Sequence, residues 1–156
     1  MTITRSSRFP VTEHPAADSA DTAVHFQSLL RFETDCWDVH EELKTGEPAF
    51  VLLDVRGPDG FAAGHVPGAR NLPHGKINER NLAEFPRDTT FVVYCSGPHC
   101  NGADKAALRL ARLGRPVKKM IGGVEGWKDE GFRFETFWWP SRRDLTGNPW
   151  SAANAR

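Results

Sequence analysis

The segment Ala49-Phe50-Val51-Leu52-Leu53-Asp54-Val55 is apolar at every position but Asp54. A half-exposed strand alternates apolar and polar residues, so a run of this kind belongs to a strand covered on both faces. Thr89-Thr90-Phe91-Val92-Val93-Tyr94 is β-branched and aromatic, as a second buried strand should be. Two such strands imply a parallel sheet with helices between them, and the intervening sequence supplies the helices. Ala103 to Leu113 is rich in strong helix formers, ends at Gly114, and meets Pro116, which enforces the stop. Val117 to Ile121 predicts another strand, and Gly122-Gly123 permits positive φ before a short helix carrying Trp127, read as core. Upstream, a helix over Asp21 to Leu30 leads into a strand at Arg31-Phe32-Glu33. Thr34 or Asp35 then caps a helix through Trp37, Val39, His40 and Leu43 that ends at Gly46. The turn Gly57-Pro58-Asp59-Gly60 leads into a short helix at Phe61 to Ala63, and Arg70-Asn71-Leu72 is a short strand. Strands alternating with helices argue an α/β layer fold.

The chain of 156 residues suits one domain. Residues 1–20, with Pro10 and Pro15 and no periodicity, read as a flexible leader; residues 21–136 read as the domain and 137–156 as an aromatic extension. Trp138, Trp139 and Trp150 in that extension are expected to pack against the same domain, with a homodimer contact as the alternative. Twenty basic residues balance twenty acidic ones, so no global field attracts nucleic acid or an anionic membrane, and Arg142-Arg143 alone makes no basic groove. No stretch has the length of a membrane span, and Met1 to Ser19 lacks the apolar core of a signal peptide. The cysteines are Cys36, Cys95 and Cys100, too few and of the wrong parity for a disulfide framework. Thiols in a reducing, cytoplasmic setting are the expectation.

Cys95 is the residue to explain. It lies where a strand runs out into the short polar loop Ser96-Gly97-Pro98-His99-Cys100, before a helix that starts near Asn101-Gly102-Ala103. A sulfur there faces the amides of a turn and the positive end of a helix dipole, and both favour the thiolate. An ordinary thiol, with a pKa of about 8.5, is about 3% ionised at pH 7, whereas a fall of about two units, worth roughly 2.7 kcal/mol, makes it mostly thiolate. In an open α/β sheet, loops beyond the carboxyl ends of the strands are where ligands bind.

Three stretches taken together resemble the rhodanese (sulfurtransferase) domain family. They are Leu52 to Arg56 with Gly64-His65-Val66-Pro67-Gly68-Ala69, the strand-loop-helix around Cys95, and Gly122-Gly123-Val124-Glu125-Gly126-Trp127. Their order and spacing match from about Phe32 to Phe132. The resemblance implies a five-stranded, mainly parallel sheet flanked by helices on both faces. It also implies a cysteine in a cradle of backbone N–H groups, here the loop Ser96, Gly97, Pro98, His99, Cys100 and Asn101. In that chemistry the thiolate takes the outer sulfur of a small-molecule donor, holds it as a persulfide, and passes it to a thiol or cyanide-like acceptor, without a cofactor. Cys95 matches the persulfide carrier.

The departures narrow the chemistry. Members that favour thiosulfate place Arg or Lys in the loop, whereas this loop offers only His99, so thiosulfate is expected to be a poor donor. The fifth residue after the nucleophile is often Ser or Thr in the family; here it is Cys100. Related phosphatases and arsenate reductases close a longer loop with an Arg, but Asn101 and Gly102 cannot make that bidentate contact, which disfavours oxyanion chemistry. Cys100 reads either as a small residue that fits or as a resolving thiol, which could pair with Cys95 only if the Cα atoms come within about 7 Å. Cys95, His99 and Cys100 lack the second ligand cluster a metal site needs. Asp54 and Arg56 read as a structural ion pair supporting the loop, His65 and His74 as structural, and Cys36 as packing. A second function stays open beside sulfur transfer: a redox or reactive-sulfur sensing module using Cys95 and Cys100, with the aromatic tail contacting a partner.

Overall fold

The computed structural model describes residues 9–137. Trp138, Trp139, Trp150 and the Arg142-Arg143 pair lie outside them, and with them the expectations about the extension. The chain divides near Arg31 and Phe32 into two compact units. The first carries a 3-10 turn at Pro10–Thr12 and most of helix α1 (Ser19–Phe32), none of whose residues is buried. This helix runs on through Arg31 and Phe32, where a strand was expected; the strand β1 is Glu33–Thr34 alone. Nothing local stops the helix sooner, and β1 exists only because Glu33 and Thr34 pair with Lys119 and Met120 of a distant strand.

The second unit is a five-stranded sheet. Its other strands are β2 (Val51–Asp54), β3 (Arg70–Asn71), β4 (Phe91–Tyr94) and β5 (Val117–Met120), in the spatial order β1-β5-β4-β2-β3 with every pairing parallel. The central strand is β4. Successive side chains of a strand point to opposite faces, and this splits the core in two. Leu53, Val55, Phe91, Val93 and Cys95 share one face with Ala103, Ala106 and Leu110 of helix α4 (Gly102–Arg112). Leu52, Val92, Tyr94 and Met120 share the other with Cys36 and Val39 of helix α2 (Cys36–Leu43) and Trp127 of helix α5 (Gly123–Asp129). Both faces are therefore covered, which is why these strands read as continuous apolar runs.

The helix ends follow local chemistry. Asp35 caps α2, its carboxylate accepting the Asp38 N–H at 2.8 Å, a contact of the kind worth about 1 kcal/mol. Gly46 and Gly114 take positive φ just beyond α2 and α4. Helix α3 (Pro58–Ala63) starts three residues earlier than expected, because Pro58 already has helical φ and needs no N–H at the first position. The polar segment after β3 contains a 3-10 turn at His74–Lys76 and is tied down by the buried Arg115. Its guanidinium donates to the carbonyls of Leu82, Phe85 and Pro86 at 3.2, 3.0 and 2.7 Å. Among the described residues, no helix is long and apolar enough to cross a membrane.

Candidate active site

Cys95 follows the last residue of β4 and keeps the strand's alternation, so its side chain lies on the α4 face with Val93 and Phe91, while Tyr94 turns to the other face. The sulfur sits against the start of α4. A Cβ added to Gly102, the first residue of that helix, would come within 2.8 Å of the Cys95 sulfur and 3.5 Å of the Cys100 sulfur. Glycine there leaves the helix N-terminus open to both. Among the described residues, the amides of Ser96, Gly97, His99 and Asn101 donate to no protein acceptor, nor do those opening α4; the Cys100 amide donates to the Gly97 carbonyl at 3.0 Å. The loop thus keeps N–H groups available beside its two sulfurs, a cluster suited to anionic sulfur.

The loop is held from the opposite side by α5. Val124 N–H donates to the Cys95 carbonyl at 3.0 Å and Glu125 N–H to the Ser96 carbonyl at 2.9 Å, so the two backbones dock directly. Gly122 and Gly123 make this approach, with φ of +87° and +58°. A Cβ on Gly123 would run into the Cys95 carbonyl oxygen and lie 3.0 Å from the Gly97 nitrogen. The sequence had marked this glycine pair as a turn, not as the seat of the Cys95 loop.

Cys95 and Cys100 are joined as a disulfide with Cα atoms 6.4 Å apart. This corrects the expectation of free thiols at these positions. The turn closed by the Cys100 N–H to Gly97 bond brings position 100 back over position 95, inside the distance that a cross-link requires. The two sulfurs differ in access. Cys95 is 6% exposed, whereas Cys100 is half-buried and lines a cavity of about 550 Å³ with Ser96, Pro98, His99, Asn101 and Asp104. The Asp104 carboxylate accepts from Lys119 Nζ at 2.9 Å. Cys36 is the free cysteine among the described residues. It is buried behind α5, where its S–H faces the carbonyls of Ile121 and Gly123 at 3.5 and 3.7 Å, and burial pushes its thiol up to about 11.

Asp54 and Arg56 form the expected ion pair. Arg56 reaches the fully buried carboxylate through Nε at 3.0 Å and Nη2 at 2.6 Å, and Nη2 also donates to the Gly64 carbonyl at 2.7 Å. Asn71, which sequence reading passed over, donates from Nδ2 to the carbonyls of Asp54 and Arg56 at 3.1 and 2.9 Å. Its amide at the end of a short edge strand was a weak signal. Tyr94 was also missed as a polar group: its hydroxyl accepts the Val66 N–H at 3.0 Å, and burial pushes its pKa well above the usual tyrosine value. His65 is buried, stacked on Phe61 with ring centroids 3.7 Å apart, and bonded through Nδ1 to the Phe61 carbonyl. Among the described residues, no three His, Cys, Asp or Glu side chains gather where they could share a cation.

Known proteins share this fold. The family model described as the rhodanese-like domain matches residues 37–130. Among curated proteins, the chain is 39% identical over 114 residues to the HTH-type transcriptional regulator Rv0324 of Mycobacterium tuberculosis. That match takes in 72% of this chain, which spans half the length of that regulator. It is 38% identical over 90 residues to the thiosulfate sulfurtransferase GlpE of Pseudomonas putida, covering 56% of this chain and 76% of GlpE. Among solved structures, the BH2092 protein of Bacillus halodurans superposes with a TM-score of 0.74 at 34% identity, covering 78% of this chain and 95% of that one. The rhodanese-like domain of the Anabaena Alr3790 protein gives 0.60 at 28% identity, over 72% of this chain and 86% of that one. The five-stranded parallel sheet with its flanking helices is the fold this chain shares with those structures, and the chain belongs to the rhodanese-like domain family.

Proposed function

We propose that this chain is a sulfurtransferase that carries sulfane sulfur on Cys95. The observation that supports the reading most is the Cys95 sulfur lying at the open start of α4, where Gly102 places no Cβ between it and the helix N-terminus. In the reduced chain, the Cys95 thiolate attacks the outer sulfur of a donor R–S–S⁻. The donor's S–S bond breaks, R–S⁻ leaves with the electron pair, and a Cys95 persulfide remains. An acceptor thiolate then attacks the terminal sulfur and returns Cys95 to thiolate, a two-step covalent course with ping-pong kinetics. The available loop amides and the α4 start stabilise the negative charge that moves between the two sulfurs.

Donor choice follows from charge. Lys and Arg are absent from the Ser96 to Asn101 loop, and Asp104 lines its cavity, partly offset by Lys119. A dianion such as thiosulfate meets little compensation there, so a low-molecular-weight organic persulfide, with a single charge on the sulfur attacked, is the favoured donor class. The test is sulfur loading read by intact mass. Reduced protein treated with polysulfide is expected to retain or process one sulfur at Cys95 and pass it to an acceptor thiol. Cys95→Ser should lose at least about a hundredfold in transfer rate, the scale expected when a covalent nucleophile is removed. Transfer undiminished in Cys95→Ser would sink the reading.

A sensing role is the second reading, favoured by the Cys95–Cys100 bond and by the resemblance to a protein named as a transcriptional regulator. A disulfide that forms once and reverses slowly, with negligible turnover, would mark the sensor. Steady release to an acceptor would mark the enzyme.

A further inference from the structure

We infer that Cys100 is a resolving thiol, which discharges the sulfur held on Cys95 as hydrosulfide and makes the chain a sulfane-sulfur reductase driven by a dithiol. The inference rests on Cys95 carrying a persulfide, as proposed above. It adds a reaction in which the sulfur leaves reduced and no external acceptor takes it.

The geometry carries each step. The Cα atoms of Cys95 and Cys100 lie 6.4 Å apart and their sulfurs are bonded, so Cys100 reaches the inner sulfur of a Cys95 persulfide with little movement of the chain. Gly102 leaves room for both sulfurs at the start of α4. The Cys100 thiolate attacks the Cys95 sulfur, the persulfide S–S bond breaks, and its electron pair leaves on the terminal sulfur as HS⁻. The zero-valent sulfur gains two electrons, and the two thiols lose two in becoming the disulfide. An attacking group fixed five residues away acts intramolecularly, so it competes with an acceptor thiol that must diffuse in.

Regeneration follows from the difference in access. Cys100 is half-buried and lines the cavity, whereas Cys95 is 6% exposed and does not line it. A dithiol reductant therefore attacks Cys100, and Cys95 departs as a thiolate stabilised by the α4 N-terminus, the arrangement that favours exchange. The reductant's second thiol displaces the mixed disulfide and frees Cys100. Cys36 takes no part, being buried behind α5.

Intact mass of the full chain, reduced, desalted and treated anaerobically with inorganic polysulfide, separates the outcomes. Wild type is expected to lose the mass of two hydrogens, as the disulfide, and Cys100→Ser to gain the mass of one sulfur. Reduction of the wild-type disulfide so formed, followed by intact mass, should run about tenfold faster with dithiothreitol than with glutathione at equal thiol concentration, because the dithiol's second thiol displaces the mixed disulfide intramolecularly. Wild type that keeps the added sulfur as fully as Cys100→Ser, with no disulfide, overturns the inference while leaving Cys95 as carrier. Cys100→Ser that acquires no sulfur removes the carrier and the inference together.

Discussion

Two helices begin with glycine against the same cysteine, and the glycines serve different ends. Gly102 opens α4 toward the Cys95 sulfur, and Gly123 opens α5 toward the Cys95 backbone. Gly102 has no positive φ, so the helix itself would accept alanine; only the sulfur 2.8 Å from its would-be Cβ argues against one. Gly123 has a φ of +58°, and its would-be Cβ meets carbonyl and amide atoms that no rotamer change can move. One flank of the loop is built around a sulfur atom and the other around a fixed backbone. The difference predicts that stability and chemistry separate when each is changed.

The largest effect is expected at Gly123. In Gly123→Ala, positive φ costs about 1 kcal/mol or more and the collision with Cys95 and Gly97 adds roughly 1–3 kcal/mol, so stability should fall by about 3 kcal/mol. Urea unfolding followed by far-UV circular dichroism checks it. A loss below about 1 kcal/mol would mean that the α5 start can retreat from the loop, and that this flank is not a rigid seat.

Legibility from sequence divides along the same line. The strands β2 and β4, the helix α4 and the place of Cys95 could be read because each is written in contiguous residues: apolar runs, helix formers, a glycine stop. Strand β1 was legible only in part, expected at Arg31-Phe32-Glu33 and found at Glu33–Thr34, since so short a segment carries no periodicity and the pairing with Lys119 and Met120 sets its bounds. The docking of Gly123 on Cys95 was hidden for the same reason, because it joins segments far apart in the chain. Spacing alone left the Cys95–Cys100 distance open, because a five-residue separation fits both an extended and a returning loop. The bond from the Cys100 amide to Gly97 decides for the return. Gly102 did carry a readable signal: glycine in the first turn of an otherwise strong helix costs about 1 kcal/mol against alanine, which calls for a packing reason.

Gly102→Ala tests the chemical flank directly. Gain in helix propensity of about 1 kcal/mol offsets overpacking of similar size, so unfolding should shift by no more than about 1 kcal/mol. Sulfur loading of Cys95 should nevertheless slow by about tenfold to a hundredfold, because the methyl displaces the reacting sulfur from the helix start. Stopped loading assays by mass, beside the unfolding curves, read both quantities on one variant. Equal losses at Gly102 and Gly123 in both measures would abolish the distinction between the flanks.

The smallest effect belongs to Cys36, whose sulfur supports the architectural flank from behind: Cβ atoms added to Gly126 and Gly122 would lie 3.1 and 3.5 Å from it. Burial, then the charges of Asp35 and Glu130, push this thiol from about 9 in the unfolded chain to about 11 in the folded one. The folded state therefore holds a proton that the unfolded state releases. The thiol's contribution is intact below about pH 9, falls as pH rises beyond that, and is gone once pH passes about 11. Tyr94, also raised by burial, adds a slope of the same sign from about pH 10 upward, in wild type and Cys36→Ala alike. Urea unfolding at neutral pH and at pH about 10 should thus show wild type losing more stability on going to alkali than Cys36→Ala does. The comparison uses the slopes and not the absolute values, so the small cavity left by alanine cancels. Parallel slopes would mean that the Cys36 thiolate finds solvent without disturbing α5, and the seat of the Cys95 carbonyl would then be looser than its hydrogen bonds from Val124 and Glu125 indicate.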